Sequence, residues 1–128
     1  MKFAGTVLYV DDVPAVMDFY RLVFGLETRF YDEALQFAEL ETGSAPLMIA
    51  SHQLGEMLMP VQYRRPEDGQ PCGVEVAFMT SDVPAAFAKA VEAGAVALAE
   101  PKAMPWGATV AYVRSTEGTL IGLSTPVG

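Results

Sequence analysis

One histidine, one cysteine and one tryptophan stand in this chain of 128 residues, and each limits the chemistry available. His52 could join Glu39 and Glu75 as a metal-ligand set, but the three follow no spacing that metal sites show. Scattered His and Glu more commonly serve structural or solvated roles. Cys72 has no histidine partner in its sequence context, and no serine sits in a nucleophile elbow. Glycine-rich phosphate loops are absent. The remaining chemistry is non-covalent. The rigid indole of Trp106 can stack on planar rings, and on cationic ones more strongly; the other reading is a tryptophan buried as core. Tyr112 follows on the same predicted strand and extends that platform. Glu75 is either the partner of a ligand cation or a solvated carboxylate at a cleft rim. Phe37 reads as core or as a contact. Met48, Met57, Met59 and Met79 supply either an adaptable apolar lining or the fill of a core.

The elements that must position these residues come as a repeat. Asp12-Val13-Pro14-Ala15 returns as Asp82-Val83-Pro84-Ala85. An apolar stretch precedes each copy, Thr6 to Val10 and Val74 to Met79. An amphipathic stretch follows each and stops at a glycine, Gly25 or Gly94. The aspartate can accept hydrogen bonds from the first free helix amides, and proline costs nothing in a first helical turn. Val16, Phe19, Tyr20 and Val23 recur at helical spacing. The pattern predicts a strand over 2–10, a helix over 13–24, strands over 26–31, 35–40 and 46–51, and a turn at Asp32-Glu33. Residues 53–72 read as a linker around the polar run 64–71. Within it Met57-Leu58-Met59 is a short surface helix with one apolar side, or a lid or subunit contact. The second half repeats the order: strand 74–80, helix 83–93, strand 95–99, a loop from Pro101 to Pro105, then strands 107–114 and 119–124. Each half is βαβββ, so the fold class is α+β in one domain, 1–52 and 73–128 being its halves. Each helix covers one face of its sheet, and the uncovered faces of mixed sheets curving around a cavity would hold a ligand.

Composition narrows the partners. A net charge of −8 argues against nucleic acid, which demands a basic face, and permits a cationic ligand through long-range attraction. No run approaches the roughly 18 apolar residues of a membrane span, and the first residues lack a signal peptide's layout. A single cysteine forbids an intrachain disulfide, and a reducing cytoplasmic location is the expectation.

The two βαβββ halves resemble the glyoxalase/bleomycin resistance/dioxygenase (vicinal oxygen chelate) superfamily. Asp18-Phe19-Tyr20 followed by Phe24-Gly25-Leu26 is similar to its first-helix signature. Trp106 to Arg114, with Glu117-Gly118 and Ser124-Thr125-Pro126, is similar to its C-terminal signature. Ser115-Thr116 departs from the Asp-Pro that relatives carry before the turn. The resemblance spans essentially the whole chain.

The resemblance implies four metal-ligand positions, on the first and last strands of each half. Here they fall at Gly5, Met48, Glu75 and Gly122. Two have no side chain, and the thioether of Met48 is a soft group that hard divalent ions pass over. Catalytic metals need about three protein ligands, so the expectation is no metal and no cofactor. The implied branch is the bleomycin-resistance type: cytoplasmic homodimers that sequester an antibiotic. Trp106 falls where that branch carries a drug-stacking aromatic. Strand alternation from Gly5 puts Val7 and Tyr9 toward the ligand, Met48 brings Ala50 and His52, and Glu75 brings Ala77 and Met79. The expected ligand-binding residues are thus Trp106, Tyr112, Glu75, Met48, His52, Phe37 and Tyr9. The rival readings are a divergent metal-dependent lyase or dioxygenase, and an interaction module with a vestigial cavity.

Overall fold

The computed structural model describes residues 1–66 and 70–126. They form two compact units, Met1–Tyr63 and Arg64–Gly128.

In the first unit, β1 (Thr6–Val10) leads to α1 (Val13–Phe24), then β2 (Thr28–Asp32), β3 (Phe37–Leu40), β4 (Leu47–Ser51) and α2 (His52–Leu58). The sheet order is β1-β4-β3-β2, with β1 parallel to β4 and the other pairs antiparallel. The Asp12 carboxylate accepts from the Ala15 amide at 3.1 Å, as the motif predicts. Gly25 closes α1 in the left-handed region at φ 71°, where a Cβ would be penalised. The buried stripe of α1 is Val13, Val16, Phe19, Tyr20 and Val23. It packs on β4 and β3, whose inward residues Leu47, Ile49, Ala38 and Leu40 are buried with Val10. Each large side chain here contributes roughly 1.5–3 kcal/mol by leaving water.

The second unit runs β5 (Glu75–Met79), α3 (Val83–Glu92), β6 (Val96–Ala103), β7 (Thr109–Arg114) and β8 (Leu120–Ser124). Its order β5-β8-β7-β6 repeats that of the first sheet, with β5 parallel to β8. Asp82 caps α3 through the Ala85 amide at 3.1 Å. Val83 and Ala90 of α3 are buried, and the helix lies on a sheet core of Ala111, Val113, Ile121 and Leu123. Both units are therefore βαβββ, with a mixed four-stranded sheet and a helix on one face, as expected.

Several boundaries differ from the sequence reading. The first strand begins at Thr6, and residues 2–5 are not in it. The turn after β2 runs on to Gln36, at φ 56°, because the Asp32 carboxylate takes the Leu35 amide at 3.0 Å; β3 consequently starts at Phe37. The predicted break at Pro101 lies inside β6. That strand is the sheet edge, where a missing N–H costs no ladder bond, and register shifts between Ala97 and Lys102 absorb the irregularity. Ser115, where the resemblance led to an expectation of Asp-Pro, closes the turn itself. Its hydroxyl accepts from the Thr119 amide at 2.9 Å, and the Gly118 amide bonds the Ser115 carbonyl at 2.9 Å.

Candidate functional site

Strand register sorts the predicted residues onto the sheet faces turned away from α1 and α3. In the first unit, Val7 pairs with Met48, Met48 with Glu39, and Ala50 with Tyr9 and Phe37. These residues share one face, since partners in register point the same way. Phe37 packs against Phe30 with ring centroids 6.4 Å apart. Glu39 faces the Arg29 guanidinium at 3.5 Å, which commits that carboxylate to an ion pair. Tyr9 lies under α2: a Cβ on Gly55 would stand 2.9 Å from its ring, and the ring is 5.2 Å from that of Tyr63.

His52 does not continue β4 as predicted. It is the first residue of α2, turned out of the strand because the Ser51 hydroxyl accepts from the Leu54 amide at 3.1 Å and starts a helix. The imidazole is buried, at 8% exposure. Its Nδ1 shares a 2.6 Å hydrogen bond with the Tyr63 hydroxyl, and the two rings stack at 5.6 Å. Nε2 lies 3.8 Å from Asp11 Oδ1. His52 thus ties the segment after α2 to the sheet and does not share the Met48 face. Nothing in the polar run around Tyr63 signalled this partner.

In the second unit, Glu75, Leu120 and Arg114 form one cross-strand row, and Ala77, Gly122 and Tyr112 the next. The carboxylate of Glu75 leans over Gly122. A Cβ on Gly122 would stand 2.8 Å from Glu75 Cδ and 3.3 Å from the Tyr112 ring, and would overlap the carboxylate oxygen Oε2. Glu75 and Tyr112 therefore occupy one patch. Met79, on the same face, is 70% exposed. Arg114 belongs to this face as well, and the sequence reading passed over it.

Trp106 is placed differently from the expectation. It does not open a strand but sits in the turn between β6 and β7, closed by the Gly107 amide on the Met104 carbonyl at 3.0 Å. At 62% exposure it is not core. Tyr112 lies three residues beyond the start of β7, so strand alternation does not join the two aromatics.

The four positions marked as metal-ligand slots can now be tested as donors. Gly5 has φ 145°, and a Cβ there would stand 2.5 Å from the Pro46 carbonyl oxygen and 2.8 Å from Met48 Cε. The Met48 methyl and a backbone carbonyl fill that slot. The Gly122 slot is filled by Glu75. Glu75 alone offers a hard donor, so the residues present do not fit a divalent metal of the usual three-ligand kind. Among the described residues no group of three or more His, Cys, Asp or Glu is arranged to hold a metal ion.

Residues 2–123 match the family model described as Glyoxalase/Bleomycin resistance protein/Dioxygenase superfamily. The chain belongs to this superfamily. Comparison with curated proteins finds no match. Among solved structures, a glyoxalase-related enzyme from Fulvimarina pelagi superposes with a TM-score of 0.84 at 20% identity, over 100% of this chain and 93% of that one. TioX from Micromonospora sp. ML1 gives 0.71 at 24% identity, over 98% of each chain. A glyoxalase/bleomycin resistance protein/dioxygenase family enzyme from Burkholderia phytofirmans PsJN gives 0.71 at 18%, over 95% and 96%. At these identities the likeness establishes the superfamily fold and not a shared activity. No helix among the described residues is long and apolar enough to cross a membrane.

Proposed function

We propose that this superfamily member is a small-molecule-binding protein of the bleomycin-resistance type, which holds its ligand unchanged and without a metal. One observation carries the reading: the space of the Gly122 slot is taken by the Glu75 carboxylate, next to the Tyr112 ring. A carboxylate beside an aromatic face suits a planar cationic ligand. Apolar contact comes from Met79 on the same face. Trp106 offers an exposed indole at the tip of the β6–β7 hairpin.

The protein works in the cytoplasm as a homodimer. The exposed Met57, Leu58 and Val61 at and after the end of α2 support a subunit contact, because exposed apolar patches mark interaction surfaces.

Two measurements test the function. Purified protein is analysed for metals by mass spectrometry, and planar aromatic amines are titrated with fluorescence and calorimetric detection. Sequestration predicts substoichiometric metal, saturable binding that survives chelator, and a weaker site in Glu75→Gln. A stoichiometric divalent metal, or turnover that chelator abolishes, overturns it in favour of a divergent lyase or dioxygenase.

A further inference from the structure

Arg114 is the last residue of β7, on the face that carries Glu75 and Tyr112. Its Nε is buried without a hydrogen-bond partner among the described residues, and none of their ion pairs involves it. A buried donor left unmade is costly, and native structures leave few. Glu75 stands in the same cross-strand row, with Leu120 of β8 between them. Two strand spacings put the backbones about 9–10 Å apart. The two opposite charges share a face but do not meet. Glu75 turns instead toward Gly122 and Tyr112, and the Nε–H of Arg114 is left without an acceptor among the described residues. The row thus reads carboxylate, apolar floor, guanidinium, with an aromatic ring beside it.

We infer that the ligand is zwitterionic: an aromatic amine that also bears a carboxylate, its ammonium at Glu75, its ring on Tyr112 and its acid at Arg114. This rests on the proposed binding function and deepens it. A ligand acid group gives the guanidinium its missing acceptor, and a planar carboxylate suits the donor fork of arginine. An amine without the acid leaves that donor unmade, so the site discriminates against it by the mechanism through which buried unpaired groups confer specificity.

The test uses three probes with one ring system: naphthylalanine, naphthylethylamine and naphthylpropionate. Each is titrated calorimetrically into the full chain and into Arg114→Met, Arg114→Lys and Glu75→Gln, with thermal melts to verify folding. Naphthylalanine is expected to bind at least about tenfold tighter than naphthylethylamine, the scale of one charge-assisted bond. Arg114→Met erases that advantage, Arg114→Lys retains part of it, and Glu75→Gln weakens both amines. Equal binding of the two amines to the native chain, or an advantage that survives in Arg114→Met, overturns the zwitterion and leaves the binding function standing. Failure of all three probes to bind removes the binding function itself.

Discussion

The Glu75 carboxylate rests where a side chain at Gly122 would begin, with Glu75 Cδ 2.8 Å from the position of a Cβ. The obstructing atoms are the far end of a flexible, exposed side chain, so the fold can yield. Gly122→Ala is expected to change stability by less than about 1 kcal/mol, below the usual cost of overpacking, because Glu75 swings away. The same swing removes the carboxylate from Tyr112. Affinity for naphthylethylamine should fall about as far as in Glu75→Gln, and the double variant should fall no further than either single one. Additive losses would show that Gly122 serves the backbone and not the placement of Glu75.

The first unit answers the same question by another route. Gly5 combines a positive φ with a carbonyl oxygen 2.5 Å from any Cβ, and backbone cannot step aside as a glutamate tip can. Placing an imidazole in this slot with Gly5→His is expected to cost roughly 1–3 kcal/mol from backbone strain alone, read by urea denaturation. It should confer no zinc or nickel binding by calorimetry, since the Met48 methyl lies across the slot. Tight metal binding by Gly5→His would mean that a functional site needs a single restored side chain.

What could be read in advance was local. Asp12 and Asp82 each act on an amide three residues away, and Gly25 needs only its own φ; a linear pattern carries all of that. The βαβββ unit was legible because it occurs twice, whereas the strand order within each sheet rests on pairings between distant residues that no local pattern carries. His52 was misplaced because a strand and a helix abut there without a spacer, and seven residues of α2 are too few to display a helical period. Trp106 was misplaced because Pro101 looked like a break, although an edge strand tolerates it. Arg114 was passed over because its interest lies in a missing partner, and an absent contact leaves no trace in composition or spacing.

Tyr63 anchors the end of α2 through two separable contacts, a hydroxyl on His52 Nδ1 at 2.6 Å and a ring against Tyr9 and His52. Tyr63→Phe removes the bond alone and is expected to cost about 0.5–1.5 kcal/mol. Tyr63→Ala also removes the ring and should cost about 3–5 kcal/mol at most, the range for deleting a buried aromatic. Denaturant midpoints give the ordering, and amide exchange in α2 shows where the loss falls. Equal costs for the two variants would mean that the ring contributes nothing.

Met57 and Leu58 leave most of their surface exposed at the end of α2, whereas Leu54, one turn earlier on the same side of the helix, is buried. The apolar side of α2 is thus covered in its first turn and bare in its last, which leaves surface for a second copy to cover. The double variant Met57→Lys, Leu58→Lys is expected to convert the proposed dimer to monomer in light scattering, with melting unchanged to within about 0.5 kcal/mol, as for other surface changes. A native chain that is monomeric at high concentration would refute the dimer outright.

The repeated aspartates allow one physical quantity to be measured twice in one molecule. Asp12 and Asp82 each accept from the amide three residues on at 3.1 Å, and both are exposed. Each precedes the same Val-Pro-Ala, so local sequence at the helix start is held constant. Asp12→Ala and Asp82→Ala are each expected to cost about 1 kcal/mol, the typical value of a lost cap, and the double variant about twice that, since the caps lie in separate units. Alanine also removes a negative charge from the positive helix end; Asn restores the hydrogen bond without the charge. Asp12→Asn and Asp82→Asn should therefore recover most of the loss in low salt and nearly all of it in high salt, where the dipole term is screened. Unequal costs at the two sites would assign the difference to what each helix packs against: α1 buries five side chains from Val13 to Val23, while the buried residues of α3 are Val83 and Ala90.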